Sequence, residues 1–148
     1  MQVNQAMSAD VRIARPSQSI QEAARMMAEI DAGALPVGDN DELVGIITDR
    51  DIAIRAVAAG KTPDTPVREI MSPEARYCFD DEDIDQVARN MGTLKVRRLP
   101  VVNRKKRLVG IISLGDVALA KGADPAGEAL ASISKPGGAH SQSGDKAA

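Results

Sequence analysis

Apolar residues first follow a helical period and then fall into two short runs. Between residues 20 and 30 the apolar positions are spaced by three and four, which places them on one face of a helix. Ser19 and Glu22 have the spacing of a capping box at its start. The face consists of Ile20, Ala23, Ala24, Met27 and Ile30. The pattern predicts a helix that ends at Asp31-Ala32-Gly33.

Strand patterns stand on both sides of this helix. The alternating stretch Val11-Arg12-Ile13-Ala14 predicts a short strand before it. Runs 34–37 and 43–47 predict two more strands, joined by a turn at Asp39-Asn40-Asp41. A second helix is expected from Thr48 to about Ala59.

The whole pattern occurs twice in the chain. A shift of 64 residues carries Val3-Asn4-Gln5-Ala6-Met7-Ser8 onto Val67-Arg68-Glu69-Ile70-Met71-Ser72. After one inserted residue near Lys105, a shift of 65 carries 43–48 onto 108–113. The helix of the second repeat is expected to start at Asp83, with Ile84, Val87, Ala88, Met91 and Leu94 on its apolar face. A repeat of this length predicts two similar structural units.

The order strand, helix, strand, strand, helix, repeated once, predicts an α/β fold of the α+β type. Two β-α-β-β-α repeats are expected to pack about a pseudo-twofold axis, because half the chain has few apolar faces to bury alone. The predicted boundaries are residues 1–66 for the first repeat with its linker and 67–122 for the second. Residues 123–148 are interpreted as a flexible tail, because 135–148 are rich in Gly, Ser and Ala without periodicity.

Composition narrows the class of protein. Of 148 residues 43% are hydrophobic but only 1% aromatic, so the core is expected to be aliphatic. The net charge of −2 argues against a general nucleic-acid binder. We see no signal peptide and no apolar run long enough to span a membrane, and one cysteine, Cys78, allows no internal disulfide. These features predict a cytoplasmic protein with neither nucleic acid nor membrane as a partner.

Enzymatic chemistry finds little support in the sequence. Cys78 has no positioned base, because the only histidine, His140, lies in the predicted tail. No Cys/His cluster has metal-ligand spacing, and the acidic run 80–83 is explained better as a helix start. We therefore predict no catalytic residue, no metal site and no catalytic cofactor.

Two motifs, present in both halves, resemble those of the CBS-domain pair, or Bateman module. The first motif is Asp31-Ala32-Gly33-Ala34-Leu35-Pro36-Val37, with 96–102 as its second copy. The other is Leu43-Val44-Gly45-Ile46-Ile47-Thr48-Asp49-Arg50-Asp51, with 108–116 as its second copy. The resemblance covers about residues 3–120, and the runs 48–52 and 56–60 look like those of stand-alone bacterial CBS-pair proteins of the mycobacterial hypoxic response type.

This resemblance implies clefts between the repeats that take AMP, ADP, ATP, NAD or S-adenosylmethionine, and in many members a homodimer. Carried over residue by residue, cleft A combines Ile46, Thr48 and Asp51 with Ser72, Tyr77, Lys95, Val96, Arg97 and Arg98. Cleft B combines Ile111, Ser113 and Asp116 with Ser8, Ile13, Asp31, Ala32 and Gly33. Because the cations belong to cleft A, phosphate is expected to favour it.

Several of these residues have a structural interpretation as well. Thr48-x-x-Asp51 and Ser113-x-x-Asp116 are capping boxes by spacing, and they can cap a helix when empty yet bind ribose or phosphate when filled. Strand alternation prevents Lys95, Arg97 and Arg98 from all facing one cleft, so Arg97 and one neighbour are expected to do so. Tyr77 can stack on adenine or pack in the fold, and 104–107 is interpreted as an exposed hairpin turn.

The sequence therefore predicts a regulatory, signal-transducing sensor of an adenine nucleotide that passes the change to an unknown effector. Two alternatives stay open at this point. One is a constitutive dimerisation scaffold without a ligand, and the other is a redox-responsive module that acts through Cys78.

Overall fold

Most of the elements predicted for the first repeat are present in the structure, a computed structural model that describes residues 1–73 and 76–135. Helix α1 spans Ile20–Ile30; the Ser19 side chain accepts a hydrogen bond from the Glu22 N–H, and Asp31 ends the helix at φ 53°. Strands β1 (Ala34–Asp39) and β2 (Glu42–Thr48) pair antiparallel. The predicted helix and hairpin are confirmed.

The two ends of the first repeat agree with the prediction to different extents. Helix α2 (Asp49–Asp51) continues as π-helical turns over Ile52–Val57, so a helix follows Thr48 as predicted. The predicted strand Val11–Ala14 is wrong for residues 11–13. Only Ala14 forms a bridge, with Val37, because Ala14 alone of the four is buried, while Arg12 extends to Glu29 at 3.1 Å.

In the second repeat a short strand precedes the helix, hairpin and second helix that both repeats share. They are β3 (Cys78–Phe79), α3 (Ile84–Leu94), β4 (Arg98–Val102), β5 (Leu108–Ser113) and α4 (Leu114–Lys121). Asp83 caps α3 by accepting from the Gln86 N–H at 3.3 Å. The strands form a sheet in the order β3-β4-β5. The predicted α+β fold is confirmed, while the pseudo-twofold packing stays a prediction.

The prediction of a flexible tail is wrong for residues 123–133, which form helix α5 (Ala123–Ile133). The helix packs on α3 and α4. It buries only Ala126 and Ala129, so it has no stripe of large apolar residues from which it could have been predicted. Residues 136–148 of the predicted tail lie outside the described residues.

The chain divides into two compact units that do not follow the order of the sequence. The first-repeat unit contains residues 10–77 and 102–109, and the second-repeat unit contains 1–9, 78–101 and 110 onward. The first segment of each predicted repeat, residues 1–9 and 67–77, therefore packs in the unit named for the other repeat. The sequence boundary at residues 66 and 67 stays a prediction about the repeats themselves.

Each unit has an aliphatic core, as the low aromatic content predicts. The first-repeat core includes Ile20, Met27, Leu35, Val37, Ile47, Val67 and Ile70. The second-repeat core includes Val3, Ile84, Val87, Ala88, Met91, Leu99, Val101, Ile112 and Val117. Three residues assigned to the apolar helix faces are exposed instead, namely Ala24, Ile30 at 39% and Leu94 at 36%. Ile30 and Leu94 lie in the last turn of their helices.

Candidate functional site

The second helix of each repeat begins with the same reciprocal pair of hydrogen bonds. The Thr48 hydroxyl accepts from the Asp51 N–H at 3.0 Å, and the Asp51 carboxylate accepts from the Thr48 N–H at 3.0 Å. Ser113 and Asp116 repeat the arrangement at 3.1 and 2.9 Å. The capping-box interpretation is therefore confirmed in both repeats. All four residues are half-buried, so their side chains remain accessible to a small molecule.

A serine lies beside the strand that leads into each capping box, and in each unit this serine belongs to the first segment of the other repeat. The main chains of Ser72 and Ile46 exchange two hydrogen bonds, at 2.9 and 3.1 Å. Those of Ser8 and Ile111 do the same, both at 3.0 Å. Each unit thus contains a half-site, defined as a capping box, the isoleucine two residues before it and the bridged serine.

Glycine makes this close approach possible in both half-sites. A Cβ atom on Gly45 would stand 2.7 Å from the Met71 Sδ and 2.8 Å from the Ser72 carbonyl oxygen. A Cβ atom on Gly110 would stand 2.6 Å from the Met7 Sδ and 2.8 Å from the Ser8 carbonyl oxygen. Sequence reasoning missed this role, although the repeat shift of 65 relates the two glycines and the shift of 64 relates the two methionines.

The segment that ends the first helix of each repeat also contacts the half-site. The Asp49 N–H donates to the Gly33 carbonyl at 2.9 Å, and the Leu114 N–H donates to the Arg97 carbonyl at 3.1 Å. These bonds fix residues 31–33 and 95–97 beside the capping boxes of their own units. Sequence reasoning assigned each segment to the cleft of the other repeat's capping box, 31–33 to cleft B and 95–97 to cleft A, and did not foresee these bonds.

The two half-sites differ in charge. In the first-repeat unit, Asp31 and Asp49 stand near the capping box, and the Asp49 Oδ2 would lie 2.9 Å from a Cβ atom on Gly33. In the second-repeat unit the corresponding residues are Lys95 and Leu114, and Arg97 replaces the glycine. The second-repeat half-site therefore has cations beside it within its own unit.

The predicted site residues are distributed over both units. The first-repeat unit holds Ile13, Asp31, Ala32, Gly33, Ile46, Thr48, Asp51, Ser72 and Tyr77. The second-repeat unit holds Ser8, Lys95, Val96, Arg97, Arg98, Ile111, Ser113 and Asp116. Each predicted cleft draws on both sets, so clefts A and B stay predictions.

Side-chain exposure further characterises the predicted site residues. Lys95, Arg97 and Arg98 are exposed, whereas Val96 is half-buried. Tyr77 is 42% exposed and lines a pocket of about 210 Å³ with Pro73 and Lys106. The tip of the β4–β5 hairpin is exposed, as predicted, and the Arg107 guanidinium donates to the Asn40 carbonyl at 2.5 Å.

The thiol of Cys78 is buried in the second-repeat unit. It is 4% exposed, and burial, reinforced by the carboxylates of Glu82 and Asp80, raises the pKa of its thiol to about 12. Since the thiolate is the reactive form, this disfavours the redox hypothesis. His140 lies outside the described residues. Among residues 1–73 and 76–135, no group of three or more His, Cys, Asp or Glu could hold a metal ion.

In the described part of the chain, no helix has both the length and the apolar character needed to cross a membrane.

Comparisons of the sequence with known proteins agree on one family. The CBS domain profile matches twice, at residues 3–57 and 67–122. The CBS domain-containing protein YhcV of Bacillus subtilis is 40% identical over 133 residues, which are 89% of this chain and 94% of YhcV. Hypoxic response protein 1 of Mycobacterium tuberculosis is 39% identical over 114 residues, 76% of this chain and 79% of that protein. The resemblance inferred from the sequence is confirmed.

Solved structures with the same fold include complexes with adenosine compounds. The CBS domain pair of protein MJ0100, in complex with 5′-methylthioadenosine and S-adenosyl-L-methionine, has a TM-score of 0.72 and 32% identity, covering 82% of this chain and 96% of that one. CBSX2 in complex with AMP has a TM-score of 0.70 and 30% identity, covering 80% and 94%. CBS pairs are thus regulatory modules, some of which bind adenosine ligands.

Proposed function

Because the chain belongs to the CBS family, as two CBS domains in tandem, we propose that it is a regulatory module that binds an adenine nucleotide and catalyses no reaction. The observation that carries this proposal is the repeated half-site. Both repeats place a half-buried hydroxyl and carboxylate at the start of a helix, beside a serine whose main chain is fixed.

The capping box provides an exchangeable carboxylate. Asp51 and Asp116 accept hydrogen bonds from the N–H groups of Thr48 and Ser113 through one carboxylate oxygen each. A ribose with vicinal hydroxyls can donate to such a carboxylate, as acidic residues accept from ribose in dinucleotide folds. The aspartates therefore have hydrogen bonds in both states, so ligand binding and release leave no buried charge unpaired.

Two of the solved CBS-pair structures contain ligands that share an adenosine group. These are 5′-methylthioadenosine and S-adenosylmethionine for MJ0100 and AMP for CBSX2. The half-buried faces of Ile46 and Ile111 offer an apolar surface for a base next to each capping box. We propose AMP, ADP, ATP or NAD as ligand candidates for this chain, with the ribose bound by Asp51 or Asp116.

Transmission of the signal requires a second state. A ligand shifts a conformational equilibrium only by its difference in affinity for the two states. We propose that the chain acts as a cytoplasmic homodimer and that an effector protein recognises the ligand-bound form. The second candidate function is a constitutive dimerisation scaffold, and it is favoured by the fact that both aspartates have hydrogen-bond partners within their own capping boxes.

Thermal melting with a ligand panel separates these functions. The panel consists of AMP, ADP, ATP, NAD, S-adenosylmethionine and GTP, tested on the wild type, Asp51→Ala and Asp116→Ala. At 100 times its dissociation constant, a ligand adds roughly 2.7 kcal/mol to the native state, which raises the melting temperature by several degrees. Ser19→Ala is the matched control, because the Ser19 side chain also caps a helix, by accepting from the Glu22 N–H, but lies outside both half-sites.

The module is expected to respond to adenine compounds but not to GTP, and the control is expected to keep the full ligand shift despite a lower melting temperature. An Asp51→Ala variant without a shift, next to an Asp116→Ala variant with one, would support the prediction that phosphate favours cleft A. The reverse result would assign the ligand to the second-repeat half-site. No shift in the wild type with any compound would favour the scaffold.

A further inference from the structure

Helix α5 (Ala123–Ile133) is an addition to the CBS fold. The CBS profile ends at residue 122, so the helix lies outside the part of the chain that matches the family. It packs on α3 and α4 within the second-repeat unit. A Cβ atom on Gly92 of α3 would stand 3.1 Å from the Ala129 Cα, so the two helices are in close backbone contact at this point. The helix therefore covers one face of the second repeat.

The first repeat leaves the corresponding face open. The repeat shift of 64 carries Ala24 to Ala88 and Ala28 to Gly92. Ala88 and Gly92 are buried, whereas Ala24 and Ala28 are exposed. Residues 58–66, which follow the second helix of the first repeat, form turns and a bridge and no covering helix. The burial of this face is thus a property of α5 and not of the repeat itself.

Few side chains hold α5 in place. The helix buries only Ala126 and Ala129, and Leu130 is 46% exposed. Gly127 lies in the interior of the helix, where glycine is unfavourable relative to alanine. A helix of 11 residues is marginal in water unless it packs on a partner. The docked and released states of α5 therefore differ little in free energy, and a small change in the surface beneath it shifts the balance between them.

Helix α4 (Leu114–Lys121) connects α5 to the second-repeat half-site. It starts at the capping box of Ser113 and Asp116, and Gly122, at φ 84°, joins its other end to α5. Eight helical residues span about 12 Å, so the half-site and the start of α5 stand at opposite ends of one short helix. All three elements belong to the second-repeat unit. A displacement of α4 therefore affects the half-site and α5 together.

The position of α4 depends on the contacts at its ends. Val117 is its one buried residue. At its last turn the Lys121 ammonium lies 3.5 Å from the Asp85 carboxylate of α3, and α5 packs along the helix. A docked α5 requires α4 in its capped position, and a ligand held by Asp116 requires the same position. Because both favour one state of α4, each should stabilise the other.

We propose that α5 is a releasable strap coupled through α4 to the second-repeat half-site, so that an adenine nucleotide bound by Asp116 stabilises the docked strap and the docked strap raises the affinity for the nucleotide. The proposal rests on the nucleotide binding of the proposed function and names the element that responds to it. The two effects are equal in size, because a coupling free energy is reciprocal. Release of the strap exposes the Gly92 face of α3, which supplies the difference in surface that transmission of a signal needs.

Amide hydrogen exchange of the full chain tests this coupling with AMP, ADP, ATP and NAD in turn, each at saturating concentration. The nucleotide that binds is expected to slow exchange over residues 123–133 about fivefold or more. Asp51→Ala leaves the second-repeat half-site unchanged and is expected to show the same slowing. Asp116→Ala is expected to show none. Slowing that Asp51→Ala abolishes and Asp116→Ala retains would overturn the proposal.

The reverse effect, of the strap on ligand affinity, is measured by calorimetry with the same nucleotide. Ala129 is 3% exposed, so Ala129→Asp places a carboxylate against α3 and is expected to release the strap. The nucleotide dissociation constant should then rise about tenfold. Ala131→Asp is the matched control, because it makes the same substitution at an exposed position of α5 and should leave the dissociation constant unchanged. Circular dichroism verifies that both variants are folded.

The possible failures are distinguishable. If none of the four nucleotides binds the wild type, the proposed nucleotide function and the coupling are both overturned. If one binds but exchange over residues 123–133 stays the same, or if Ala129→Asp and Ala131→Asp bind it equally well, the coupling alone is overturned. The exchange experiment needs no substitution in α5, so it decides the question even when Ala129→Asp does not fold.

Discussion

Gly45 lies so close to Ser72 that a Cβ atom on the glycine would stand 2.8 Å from the serine carbonyl oxygen. The Ser72 main chain exchanges two hydrogen bonds with Ile46, the next residue of β2. The absence of a side chain at position 45 therefore allows the first segment of the second repeat, which contains Ser72, to pack in the first-repeat unit. It also holds Ser72 next to the Thr48 capping box.

We expect Gly45→Ala to destabilise the protein by about 1–3 kcal/mol, because the added methyl group meets the backbone of Ser72 and the Met71 sulfur. The free energy of unfolding in urea measures this loss. Gly127→Ala is the control: no atom lies within 4 Å of its Cβ position in α5, and alanine favours a helix by about 1 kcal/mol over glycine. A Gly45→Ala variant as stable as the wild type would contradict the steric argument.

Gly92→Ala is expected to loosen helix α5. The added Cβ atom would stand 3.1 Å from the Ala129 Cα, so α5 has to shift by a few tenths of an ångström or separate from α3. Amide hydrogen exchange over residues 123–133 should become faster, while exchange in β1 and β2 should not change. Thr93→Ala, at the adjacent exposed position of α3, serves as the control. Equal exchange in Gly92→Ala and wild type would show that this contact does not hold α5.

The hairpins and capped helices could be predicted from local sequence, because each depends on residues within a few positions of one another. Ser19 and Asp83 start their helices as the spacing indicates, and one capping box forms in each repeat, at Thr48 and at Ser113. These features depend on side chains that satisfy nearby backbone groups, which a single sequence displays directly.

Features that depend on distant partners could not be predicted. Helix α5 buries only Ala126 and Ala129, so its stability depends on a close surface at Gly92 rather than on a periodic apolar stripe. The first segment of each repeat packs in the unit of the other repeat, which likewise pairs residues far apart in sequence, such as Ser8 and Ile111.

The candidate site shows the same division. The spacing of its threonine, serine and aspartates predicted their roles at the helix starts. The close contact of glycine, methionine and serine beside each capping box depends on how the strands pack, so the sequence alone does not display it.

Removing the hydroxyl of either capping box should lower stability and ligand affinity together. Thr48→Ala and Ser113→Ala each lose the acceptor of an aspartate N–H, which is expected to cost about 1 kcal/mol of unfolding free energy. Thr48→Ser keeps the hydroxyl and is the conservative control. Urea unfolding measures the first effect, and the thermal shift with AMP measures the second. If Thr48→Ala lowered stability but kept the full AMP shift, its hydroxyl would be a cap only.

The last prediction concerns the dependence of stability on pH above neutrality. The pKa of Cys78 in the folded chain is about 12, because burial and the carboxylates of Glu82 and Asp80 oppose ionisation. An unfolded cysteine titrates near about 8.5. Around and above that pH the unfolded chain loses a proton that the folded chain retains, so the free energy of unfolding falls as pH rises from about 8.5 toward 12, and this residue causes little change more than about one pH unit below the unfolded pKa.

Urea unfolding at pH 8 and pH 10 tests this linkage against a Cys78→Ala variant. The wild type should lose up to about 2 kcal/mol more than the variant between these two conditions, since each pH unit above the unfolded pKa contributes about 1.4 kcal/mol. A thiol reagent should react slowly with the folded protein at pH 8 and fully in urea, because the thiol is both buried and protonated. Equal losses in the wild type and the variant, or rapid reaction of the folded protein, would show that the thiol ionises in the native state and would return Cys78 to consideration as a redox-active group.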